Sequence, residues 1–175
     1  MITLYAASPG SAKGENMDAE SKARRVPSGT SGPHKSGGGV AAFRLLEHTA
    51  DMGIEAQAPT CEELFVQAGK ALLAVLAGKG EIASEGRELT FEVMAGDVEE
   101  LLVVWLNELL YLVQTKRLWP REIAVTALQP GALQGRLRVV PQAGDPGREI
   151  KAVTYHHLLV TRRHGHWRAR VYLDL

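Results

Sequence analysis

Groups able to bind a cation or move a proton gather at two widely separated places in this sequence. The first is His48-Thr49-Ala50-Asp51-Met52-Gly53, a polar stretch between apolar segments, where a turn would hold the Asp51 carboxylate outward. Asx side chains in such turns readily bond their own backbone, so the stretch taken alone is most simply a turn. The second is Asp174, followed by Leu175, whose α-carboxylate adds another acidic group. A hard divalent cation takes several oxygens, from carboxylates, backbone carbonyls and water, and one aspartate cannot hold it.

Nitrogen ligands are a weaker set. His156 and His157 are adjacent, and neighbouring strand residues point to opposite faces, so the pair is not expected to share a metal. Adding His164 and His166 makes a zinc site conceivable, but no fourth ligand stands out. Arg162, Arg163, Arg168 and Arg170 form a basic cluster that would suit phosphate or an acidic partner, or simply a solvated strand face. No Walker loop, dinucleotide-binding glycine pattern, nucleophile elbow or Cys-x-x-Cys pair is present, which argues against a self-contained nucleotide-using enzyme.

The elements that must carry these residues can be read from period and caps. Phe43–Leu46 and Ile54–Ala58 are predicted as short strands around the His48–Gly53 turn, forming an arch or bulged segment. Thr60 with Glu63, and Asp97 with Glu100, have capping-box spacing. They open helices expected to run to about Ala77, with Gly78 as a left-handed stop, and to about Gln114. Leu89, Phe91 and Val93 alternate as a strand between them. After Pro120 the pattern becomes a hairpin of Ile123–Ala127 and Leu133–Val139 about Pro130-Gly131, then a second of Ile150–Thr161 and Trp167–Leu173. In the last strand Trp167, Ala169, Val171 and Leu173 share one face, with Arg168, Arg170, Tyr172 and Asp174 on the other. The expectation is α+β: two helices packed on a largely antiparallel sheet, as a sandwich.

Bulk properties narrow the setting. With 175 residues, 45% of them hydrophobic, the chain is long enough for one domain with an ordinary core. Residues 1–41 are rich in Gly, Ser and Pro and are expected to be a disordered leader, leaving 42–175 as the domain. The formal net charge is zero, so no global field marks a nucleic-acid or membrane partner. The single cysteine, Cys61, allows no internal disulfide. The strongest apolar run, Leu101–Val113, is too short for a membrane span, and Met1–Gly10 is unlike a signal peptide, so a cytoplasmic protein is expected.

Taken in order, Glu47-His48-Thr49-Ala50-Asp51-Met52-Gly53-Ile54, Leu64-Phe65, Trp105-Leu106-Asn107-Glu108-Leu109-Leu110, Ile150-Lys151-Ala152-Val153-Thr154-Tyr155-His156, and Trp167 with Val171–Leu175 resemble the archease family. The likeness spans about Phe43 to Leu175; Met52 stands where the family more often has an aliphatic residue. It implies an archease-like sandwich and a non-enzymatic role: activating the GTP-dependent RtcB-type RNA ligase that joins tRNA halves, by promoting guanylylation and multiple turnover. It also implies a divalent cation, Ca²⁺ foremost with Mg²⁺ or Mn²⁺ as alternatives, held by Asp51, Asp174 and Leu175, with RNA reached indirectly through the ligase. A metal-dependent phosphoesterase and a direct RNA-binding module using the arginine cluster are the competing readings.

Overall fold

The computed structural model describes residues 2–6, 41–47, 52–78, 85–142, 144 and 147–175. All fall within one compact unit, residues 1–7 with 39–175; the second unit, Ser8–Gly38, lies outside the described residues. The strands are β1 (Ile2–Ala6), β2 (Ala42–Glu47), β3 (Met52–Ala58), β4 (Arg87–Met94), β5 (Leu118–Gln129), β6 (Ala132–Pro141), β7 (Ala152–Arg163) and β8 (His166–Asp174), and the helices α1 (Cys61–Leu76) and α2 (Val98–Gln114). The expected α+β class is observed, with one refinement: the strands form two four-stranded sheets, β1-β4-β6-β5 and β2-β3-β8-β7. Every strand pairing is antiparallel.

Both helices start where their caps predict. The Thr60 hydroxyl accepts from Glu63 N at 3.2 Å, and Asp97 Oδ1 accepts from Glu100 N at 2.8 Å while Glu100 Oε2 takes Gly96 N at 2.7 Å. Each bond satisfies an amide that has no partner within its helix. The end of α1 differs from expectation. Gly78 is not left-handed; the chain leaves through Ala77 in an extended conformation, and the Leu76 carbonyl accepts from Gly147 N at 3.0 Å. A distant loop thus terminates the helix in place of a local glycine turn.

The core explains the layering. α1 packs on β3 and β5, and α2 on β7, β5 and β4, so each helix touches strands of both sheets. A helix covered on several sides must be apolar over most of its circumference. α2 buries Leu101, Leu102, Val103, Trp105, Leu106, Leu109, Leu110, Leu112 and Val113 accordingly. Trp105 stacks on Phe91 of β4 with ring centroids 4.4 Å apart, and its indole N–H donates to the Phe65 carbonyl of α1 at 3.3 Å. Phe91 in turn lies over Gly135, its register partner on β6; a Cβ there would sit 2.5 Å from the ring.

Three further differences have physical causes. Of the expected leader, residues 7–40 lie outside the described residues, but Ile2–Ala6 is a strand, paired with β4 from Ile2 opposite Val93 to Ala6 opposite Leu89. Its alternation, Ile2-Thr3-Leu4-Tyr5-Ala6, is too brief to stand out beside a Gly- and Ser-rich stretch. β2 and β3 do not form an arch: they hydrogen-bond to one another, Glu47 opposite Met52 and Ala42 opposite Gln57. Finally, Pro120 lies within β5, which begins at Leu118. Proline lacks the ladder donor, and it is accommodated at a sheet margin where the register shifts between Pro120 and Glu122.

Candidate metal site

The last strand decides where Asp174 and Leu175 lie. Along β8, Ala169, Val171 and Leu173 are buried, so alternation sends Arg168, Arg170, Tyr172 and Asp174 to the other face, as predicted. β3 flanks β8 on one side with Met52 opposite Leu173, and β7 on the other with Ala152 opposite Asp174. Lys151 joins the end of the strand twice: its N–H donates to the Asp174 carbonyl at 2.8 Å, and its ammonium to the main-chain oxygen of Leu175 at 2.7 Å. Asp174 and Leu175 are both exposed.

His48 and Asp51 lie outside the described residues, as do Thr49 and Ala50. Asp51 is one peptide bond from Met52, which stands across the ladder from the residue preceding Asp174. The described donors are oxygens, the Asp174 carboxylate and the Leu175 main-chain oxygen, and this set fits a hard cation better than a soft one. Among the described residues no three His, Cys, Asp or Glu side chains converge, so further ligands would come from Asp51, backbone and water.

The histidines depart from expectation. His156 and His157 do not point apart; their rings are 4.0 Å centroid to centroid, and both lie near Tyr172, at 6.4 and 6.0 Å. The cause is a register irregularity in β7 between Thr154 and Leu159, with His157 at φ 50°, which breaks the two-residue alternation. His164 sits in the two-residue turn with Gly165, and its carbonyl lies 3.1 Å from His166 Nδ1. The four do not assemble a zinc site among the described residues.

One supporting residue escaped the sequence reading. In the sequence Asn107 stands out only as part of the Trp105–Leu110 block of the family resemblance, with no role of its own. Its amide in fact donates to the Val103 carbonyl at 3.0 Å and the Val153 carbonyl at 3.1 Å, while its oxygen accepts from Val153 N at 3.0 Å. It therefore fixes the start of β7, two residues beyond Lys151. A polar residue on a stripe otherwise buried was the available signal. Cys61, by contrast, has its thiol pushed up to about 11, first by burial and then by Glu62 and Glu99, which leaves it protonated and unreactive at neutral pH.

The arrangement of this domain matches known proteins. The model of the archease protein family covers residues 43–175. The chain belongs to the archease family. The archease of Methanosarcina mazei is 33% identical over 140 residues, spanning 76% of this chain and 95% of the relative. The Pyrococcus furiosus archease is 34% identical over 136 residues, spanning 74% and 95%. Among solved structures, that of a Methanobacterium thermoautotrophicum protein superposes with TM-score 0.57 at 28% identity, covering 76% of this chain and 98% of that one. A Thermotoga maritima archease, described as a possible chaperone, gives 0.54 at 25% identity, covering 74% and 94%. Strand β1 of this archease precedes the residues that the family shares.

Proposed function

We propose that this archease is a metal-binding accessory protein that activates the GTP-dependent RtcB-type RNA ligase, promoting guanylylation and multiple turnover in tRNA splicing and RNA repair. The observation that supports it is the exposed acidic end of β8, where Lys151 holds the Leu175 oxygen beside Asp174, one residue beyond Leu173, which stands across the ladder from the residue that follows Asp51. In this reading Asp51, Asp174 and Leu175 supply the oxygens for a divalent cation, Ca²⁺ foremost and Mg²⁺ or Mn²⁺ in its place, with water completing the shell. When bound, the ion supplies positive charge to oxygens of a nucleotide or phosphate. Lys151 keeps the last residue against β7, so that the Asp174 carboxylate is presented and not frayed. The acidic end approaches the ligase's nucleotide site, and at that end RNA is met through the ligase. The protein acts by binding, in the cytoplasm; no helix among the described residues is long and apolar enough to cross a membrane.

The test incubates GTP, a divalent ion and cleaved RNA with this protein, with the ligase, and with both. Stimulation should appear only in the combined reaction and be lost with Asp51→Ala or Asp174→Ala. The unfolding temperature of the Asp174 variant should stay near that of the parent, because its side chain is exposed. Calorimetric titration with Ca²⁺ should show binding by the parent and none by either variant. Undiminished stimulation by either variant refutes the assignment.

A further inference from the structure

The outer face of the β2-β3-β8-β7 sheet, turned away from the helices, carries a cavity of about 570 Å³ whose lining includes Arg44, Glu55, Leu159, Arg163, Arg168 and Arg170. The sheet register arranges these groups in rungs. Arg44, Glu55, Arg170 and Leu159 lie in one row across the four strands, and Gln57, Arg168 and Thr161 in the next. Arg162, part of the basic cluster read from sequence, lies outside this lining, on the alternate face of β7. Arg44, more than 100 residues away in sequence, takes its place.

Charge is concentrated here although the chain as a whole is neutral. Four guanidinium groups meet a single carboxylate, Glu55, among the lining residues. Glu55 accepts from Arg44 Nε at 2.6 Å and from Arg170 Nε at 2.7 Å, so it orients two arginines without cancelling the set. Arg163 and Arg168 are exposed. One rung from Arg170, toward the chain's acidic end, stands Tyr172 with the rings of His156 and His157 around it. Both histidines are exposed, and it is the irregularity in β7 that turns them to the same side.

We propose that this face binds a single-stranded polynucleotide directly, its phosphates on Arg44, Arg163, Arg168 and Arg170 and its bases on the Tyr172, His156 and His157 rings. A cationic track beside exposed rings is the combination that single strands use, since phosphates meet the charges while unpaired bases stack. Every cation in the lining is arginine, whose planar fork suits phosphate oxygens and can also stack. Alternate residues on one strand face lie about 7 Å apart, so Arg168 and Arg170 can meet neighbouring phosphates of one strand. An acidic peptide would use the charge but not the adjoining rings. This proposal does not depend on the ligase reading, in which RNA contact is indirect.

The test is fluorescence anisotropy of a short labelled single-stranded RNA lacking self-complementarity, with the full chain, in EDTA, without ligase, over a KCl series. The affinity should fall with salt with a logarithmic slope of about −3, as about four displaced counterions require. The double variant Arg163→Gln with Arg168→Gln should bind about tenfold or more weakly with a flatter slope, at the rate of one contact per arginine. Arg162→Gln and Asp174→Asn should bind like the parent, and Glu55→Gln should bind more tightly. Thermal unfolding of each variant establishes that it is folded. Unchanged affinity in a folded double variant overturns the proposal. So does tighter binding of polyglutamate than of the RNA, with the same arginine dependence, which would mark the face as a dock for acidic protein. Loss of ligase stimulation in Asp174→Asn with RNA affinity retained separates the two sites.

Discussion

Glu55 shows how a single residue can serve structure and binding together. Burial draws its pKa up, but hydrogen bonds and charge from Arg170 and Arg44 draw it down further, leaving it below its ordinary value of 4.5. A carboxylate depressed in the folded state stabilises the fold above its unfolded pKa, and that contribution is lost as pH falls through the folded value. Glu55→Gln should therefore lower the neutral plateau of a stability–pH profile and leave the most acid end little altered, flattening the limb below about 4.5, measurable by urea unfolding across pH. The same substitution frees Arg44 and Arg170, which is why tighter polyanion binding is expected. At this scale legibility was uneven. Asp174, Arg168 and Arg170 were assignable to one face because β8 keeps a strict period of two. His156 and His157 were misplaced because that period fails at the β7 irregularity, and Arg44 was missed because cross-strand register is not written in local sequence. Asp51 and His48 lie outside the described residues.

Among elements, α2 does most to position the acidic end. Asn107 reaches from its middle to both polar groups of Val153, so the helix sets where β7 begins and thereby where Lys151 meets the last residues. Asn107→Ala should cost about 1–3 kcal/mol, the usual penalty for leaving half-buried backbone groups unpaired. Amide exchange should quicken over residues 151–154, while amides in the middle of β6 should change only with global stability. Both helices could be read from sequence because two signals agreed, the caps at Thr60 and Asp97 and the 3.6-residue period of apolar side chains. The exit of α1 could not, because Gly147, which takes its carbonyl, belongs to a loop some 70 residues later. β1 was hidden for a different reason: five residues give too few alternations to separate a strand from a polar leader.

At the scale of the molecule, the sandwich depends on a contact that crosses layers, Gly135 under Phe91 under Trp105. Gly135→Ala would set a methyl 2.5 Å from the Phe91 ring and against the Ala124 carbonyl, in a row of packed groups with little room to yield. Overpacking of this kind costs about 1–3 kcal/mol. It should lower the unfolding temperature and change the fluorescence of Trp105, which is fully buried. A variant as stable as the parent would show that the layers can slide. The class of fold followed from counting alternating and helical segments, but its division into two sheets joined through the helices did not. Strand order is set by which apolar faces meet in three dimensions, and the chain order of the strands leaves that open.

The irregular stretch of β7 has one more consequence. A strand at the margin of a sheet offers free N–H and C=O groups to any extended chain that drifts past, a route to fibrils. Here Asn107 occupies both groups of Val153, and the distorted run up to Leu159, with His157 in a left-handed conformation, interrupts the straight template beyond it. The feature that gathers the two imidazoles on one side is thus also a guard against self-templated assembly.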